Sequence, residues 1–93
     1  METNKVHSDL PIPPGEYLLE VLEESGLTTV GLARQLALTT SELARLLSGE
    51  SAVTQSIAQR LAEIVGVPAH IWLGLEEEYR RAMFYSYQER LTA

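Results

Sequence analysis

TTVGLARQLALTTSELARLLSG, residues 28–49, is the stretch on which the fold turns. Leu32, Ala33 and Leu36 fall at i, i+1 and i+4, and Leu43, Leu46 and Leu47 fall at i, i+3 and i+4 of a second segment, so each set shares one face, which is helical and not strand periodicity. Thr28 is a candidate N-cap for the first helix, which runs to about Ala37 with Gly31 as an internal weakness of about 1 kcal/mol relative to Ala. Thr39 caps the second. Glu42 follows three residues later, so Thr39-Thr40-Ser41-Glu42 fits a capping box that satisfies otherwise orphan backbone donors. Ser48 and Gly49 end that helix, the glycine supplying a left-handed turn. Two short helices joined by a tight turn make a helix-turn-helix.

Working outward, a helix starts near Pro14 or Gly15 and ends at Gly26, with Leu18, Leu19, Val21 and Leu22 as its apolar positions. Glu16, Glu20, Glu23 and Glu24 make it acidic, and the ordinary meaning of such a face is solvation. After Thr54 a fourth helix carries Ile57, Ala58, Leu61, Ile64 and Val65 toward a core before Gly66. Pro68 opens a longer last helix, poorly capped, spanning about 69–90. There Glu76 and Glu77 precede Arg80 and Arg81 by four residues, pairs worth about 0.2–0.5 kcal/mol each, and they read as a solvated, self-supporting face. Trp72, Leu75, Tyr79 and Met83 form a stripe that can cap a four-helix core. Phe84, Tyr87 and Leu91 form a second stripe, which a dimer or partner surface and a fold-back explain equally well. The expectation is an all-α, five-helix domain over 14–93 behind a flexible arm, 1–13, punctuated by Pro11 and Pro13.

Ninety-three residues suit one domain with a modest core. There is no cysteine, which excludes disulfides and thiolate metal sites and suits a reducing cytoplasm. No apolar run approaches the roughly 18 residues of a membrane span, and the N-terminus lacks a signal-peptide pattern, so a soluble cytoplasmic protein is expected. Thirteen acidic against seven basic residues give a net charge of −6, which opposes non-specific attraction to nucleic acid; on charge alone it is read first as keeping the chain soluble, and it also suits a basic protein partner. His7 and Asp9 lack further metal ligands, His70 has no second histidine in a metal spacing, and no Gly-rich phosphate loop or nucleophile signature occurs. No enzyme, metal, cofactor or small-molecule substrate is therefore expected.

A helix-turn-helix reads DNA with the first residues of its second helix, here Thr39, Thr40, Ser41, Ala44 and Arg45. Hydroxyls bond phosphate or base, Ala44 suits a thymine methyl, and Arg45 alone suits bidentate guanine contact. Thr29 and Arg34 complete the candidate set, but residues 28–54 are formally neutral, so the electrostatic share of DNA affinity should be small.

From Pro14 to about Arg81 the chain resembles the HigA (VapI-like) antitoxins of the Xre group of lambda-repressor-like helix-turn-helix proteins. PPGEYLLEVLEESGLT resembles the family's opening, with Pro14-Gly15-Glu16 in the place of its Pro-Gly-Glu. LARQLALTTSELARLLSGESAVT resembles its motif at Ala33, Leu36, Leu43, Arg45, Leu46, Leu47, Gly49, Ala52 and Thr54. In IAQRLAEIVGVPAHIWLGLEEEY, Trp72-Leu73 followed by Leu75 and Tyr79 is the most specific signature. Pro13 replaces the family's usual histidine, Thr29 a glutamine that contacts phosphate or base, and Ala37 a turn glycine, while basic residues frequent at Thr40 and Glu50 are absent. The resemblance implies a dimer that neutralises a small, basic, RelE-like ribonuclease toxin and represses its own operon. It also implies a dimer or partner interface on the last helix at Tyr79, Met83, Phe84, Tyr87 and Leu91. A free-standing dimeric repressor, or an adaptor that has lost DNA binding, are the alternatives.

Overall fold

Residues 11–92 are described by a computed structural model and form α1 (Pro14–Ser25), α2 (Thr29–Leu36), α3 (Thr40–Ser48), α4 (Gln55–Val65) and α5 (Ala69–Thr92), with no strand among the described residues. Most of the expected arm, with His7 and Asp9, lies outside them; residues 11–13 form a non-helical lead-in. No described helix is long and apolar enough to cross a membrane.

The helix starts follow from hydroxyl caps. Thr28, Thr39 and Thr54 each accept a hydrogen bond from the backbone N–H three residues on, at 3.0, 3.0 and 3.2 Å. On α3 the capping box is complete, because the Thr39 N–H donates to Glu42 Oε1 at 2.9 Å. The turn between α2 and α3 passes through Ala37 at φ 60°, ψ 39°, the one non-glycine residue with positive φ among those described. There the Leu38 N–H donates to the Ala33 carbonyl at 2.9 Å and the Ala37 N–H to that of Arg34 at 3.2 Å, the paired bonds of a Schellman motif.

Leu18, Leu22, Leu32, Ala33, Leu36, Leu43, Leu46, Val53, Ala58, Leu61 and Trp72 form the buried core, to which each fully buried large side chain contributes about 1.5–3 kcal/mol. Trp72 is fully enclosed; its indole N–H donates to the Val67 carbonyl at 3.0 Å, and Tyr17 stacks obliquely with ring centroids 5.4 Å apart. Leu19, expected among the apolar positions of α1, is 45% exposed: one residue past Leu18 turns about 100° off the buried stripe. Met83, expected to continue the Trp72 stripe over the core, is also exposed, and α5 carries no buried residue after Glu76 among those described. Gly15 brings α1 onto the end of α3, and a β-carbon there would lie 2.0 Å from the Leu47 carbonyl oxygen.

The face of α5 expected to be solvated divides in two. Glu77 and Arg81 form an exposed ion pair at 3.3 Å. Glu76 and Arg80 also pair, but Glu76 is buried, and its Oε1 accepts from the Val53 N–H at 3.0 Å. Arg80 Nη2 donates to the Gly49 carbonyl at 2.8 Å. Four residues after Trp72, Glu76 falls on the inward side of the helix, and the pair clamps the loop that follows α3 onto α5.

Candidate nucleic-acid interface

Leu43 and Leu46 seat α3 in the core, which turns Thr39, Thr40, Ser41, Ala44 and Arg45 outward; all five are exposed. The Thr39 hydroxyl oxygen is used as an acceptor by Glu42 N–H, leaving its proton free to donate. Thr40 and Ser41 begin the helix, and their amides are first-turn donors for which the helix itself has no acceptor. That end suits an anion through its dipole. Glu42 works against this: the carboxylate that completes the cap also sets a negative charge beside any approaching phosphate.

Thr29 opens α2, and with Thr40 and Ala44 it rims a depression of about 130 Å³ whose remaining walls are Leu43 and Leu47. Three of the seven residues expected to contact DNA thus come together around one hollow. Arg34, Thr39, Ser41 and Arg45 do not line it. Arg34 and Arg45 are exposed, and among the described residues neither forms an ion pair. Arg60 is a basic residue that the sequence did not single out. Its Nη1 donates to the Leu36 carbonyl at 3.3 Å, bracing the end of α2 from 24 residues away.

On the far half of α5, Met83, Phe84, Tyr87 and Leu91 are 44, 56, 58 and 67% exposed, and at about 100° per residue they share one broad face that continues the buried side of the helix. Tyr79 is different: it is half-buried, beneath the Arg80 guanidinium, which sits 4.9 Å from its ring centre. Tyr85 points away from that face and meets Phe84 edge-on, with centroids 6.0 Å apart. No group of three or more potential metal-ligating side chains occurs among the described residues.

Five helices around one core, with an exposed and fully capped second motif helix, define a helix-turn-helix domain of the transcriptional-regulator type. No protein-family model matches the chain. It is 30% identical over 69 residues to YddM, an uncharacterized HTH-type transcriptional regulator of Escherichia coli (strain K12), covering 74% of this chain and 73% of that one. The HigA-family addiction module antidote protein of Coxiella burnetii superposes with a TM-score of 0.74 at 30% identity, covering 87% of this chain and 89% of the other. The Pseudomonas aeruginosa antitoxin HigA, solved with the higBA promoter, gives 0.75 at 28% identity over 88% and 90%. The chain belongs to the HigA family of helix-turn-helix antitoxins.

Proposed function

We propose that this chain is the antitoxin of a toxin–antitoxin pair, and that it represses its own operon by laying the start of α3 in the major groove of operator DNA. One observation carries the DNA reading: the outward edge of α3 presents Thr40, Ser41, Ala44 and Arg45 clear of the core. Its relative from Pseudomonas aeruginosa was solved with promoter DNA. Arg45 supplies the bidentate donor, Thr39, Thr40 and Ser41 hydroxyls reach phosphate or base, and Thr29 and Arg34 contact the flanking backbone. A homodimer formed over Met83, Phe84, Tyr87 and Leu91, with Tyr79 at its edge, supports binding to paired half-sites. Exposed Glu16, Glu20, Glu23 and Glu24 on α1 and the −6 net charge support a basic toxin, of the RelE-like ribonuclease kind, as partner.

The test is expression of the intact operon with only this chain tagged. A basic neighbour product that co-purifies and loses its toxicity supports the antitoxin reading; an unbound neighbour product sinks it. In parallel, DNA from upstream of the coding sequence should be bound specifically and lost in Arg45→Ala, and equal affinity for random DNA would refute the repressor half. The near-neutral charge of the motif favours one other reading, an adaptor without DNA affinity, and specific binding to that DNA excludes it.

A further inference from the structure

The hollow between α2 and α3 has a chemistry distinct from the rest of the reading edge. Around it, Thr40, Ser41 and Arg45 offer hydrogen-bond donors, whereas its walls are the aliphatic carbons of Leu43, Ala44 and Leu47, with Thr29 and Thr40 at the rim. Base-pair edges in the major groove carry hydrogen-bonding atoms at almost every position, and their one apolar projection is the methyl on C5 of a pyrimidine. An aliphatic hollow gives a hydrogen-bonding edge no partner and leaves it desolvated. A C5 methyl loses nothing on entering. The hollow is also rigid: Leu43 is 2% exposed within the core, and the backbone at Leu47 is held by its close approach to Gly15.

We propose that this hollow is a socket for the C5 methyl of a pyrimidine, thymine or 5-methylcytosine, and that it sets sequence preference beside the Arg45 contact. The inference rests on the DNA-binding reading above. Leu43 and Leu47 form the floor, Ala44 leaves the opening clear because its side chain is one carbon, and the Thr29 and Thr40 hydroxyls stand where they can donate to the neighbouring O4 or phosphate.

The full-length chain is used to recover duplexes from a random-sequence pool. The enriched sequence is synthesised with each thymine replaced in turn by deoxyuridine, and affinity is read by fluorescence anisotropy. One thymine in each half-site should show a loss of about four-fold on removal of its methyl. In Ala44→Ser, which puts a hydroxyl in the wall at an exposed helical position, that thymine-to-uracil ratio should fall toward one. At the same position, a cytosine and a 5-methylcytosine duplex separate the two sources. A gain of similar size on cytosine methylation means the methyl alone is read, and no gain means thymine is read through its methyl and O4 together. If no thymine is sensitive and methylation changes nothing, the socket is refuted while DNA recognition stands. An unchanged ratio in Ala44→Ser likewise removes the assignment to this hollow, and failure to enrich any sequence overturns the DNA reading and the socket with it.

Discussion

Ala37 holds a backbone conformation that its β-carbon disfavours. At φ 60°, ψ 39° an L-residue loses about 1–2 kcal/mol to contact with the following carbonyl, yet the two Schellman bonds that close α2 need that geometry. Glycine would remove the clash and lose more backbone entropy on folding, so the gain is partly offset. Ala37→Gly should therefore stabilise the domain by about 1 kcal/mol, raising the thermal midpoint by about 4–8 °C for a chain of this size, as followed by circular dichroism. A lower midpoint would show that the turn is not strained. The position of this turn was legible in the sequence, because Thr39 and Glu42 mark where the next helix must begin. The sign of φ was not, since no residue there has an intrinsic left-handed preference; only the resemblance to proteins with glycine in that place hinted at it.

Among the elements, α5 does more than cover the core. Arg80 holds the carbonyl of Gly49 and Glu76 holds the N–H of Val53, so both ends of the loop leaving the recognition helix are tied to one turn of α5. Arg80→Met would leave the Glu76 carboxylate, whose side chain is 11% exposed, without its ion-pair partner and the Gly49 carbonyl without the Arg80 donor, and should cost about 1–3 kcal/mol in urea denaturation. Arg81→Met breaks only the exposed pair with Glu77 and should fall within about 0.5 kcal/mol of the parent. Equal effects would mean that the clamp adds nothing beyond a surface pair. A second contact fixes the other side of α3: Gly15→Ala would drive a β-carbon into the Leu47 backbone and should destabilise by about 1–3 kcal/mol or more, while an unchanged denaturation midpoint would contradict that packing. The i, i+4 spacing of both charge pairs was visible in the sequence, and so in principle was the inward side, since Glu76 and Arg80 follow Trp72 at four-residue steps. Their backbone partners, the Val53 N–H and the Gly49 carbonyl, were not, because they lie 23 and 31 residues away and are set by tertiary packing. Leu19, named only as an apolar position, lies exposed for a related reason: apolar character alone does not say which side of a helix meets the core.

At the scale of the whole molecule, the proposed function gives the apolar and charged surfaces different partners. Met83, Phe84, Tyr87 and Leu91 extend the buried face of α5 beyond the helices that cover it, and burying them between two chains removes the exposed patch. Phe84→Ser combined with Tyr87→Ser should shift the protein to monomer by analytical ultracentrifugation with the near-ultraviolet signal of Trp72 retained, whereas an unchanged dimer would place the interface elsewhere. Charge then limits how such a dimer holds DNA. With Arg60 engaged by the Leu36 carbonyl and Arg80 by Gly49 and Glu76, the exposed cations on the motif are Arg34 and Arg45. Arg34 on the flanking backbone and Arg45 in the groove both displace counterions, so the four cations of two protomers give a slope of log affinity against log salt no steeper than about −4. That is shallow, and with a net charge of −6 per chain repelling the duplex it leaves most of the selectivity to base contacts. Titration of the operator complex between about 50 and 200 mM salt measures the slope directly. In Arg34→Gln it should fall by about 2, one contact from each protomer, at every sequence tested; in Arg45→Ala the preference for operator over random DNA should fall as well. A parent slope near −8 would require cations beyond these four to reach the phosphates, and would overturn the division between a weakly charged reading edge and an acidic, partner-directed remainder.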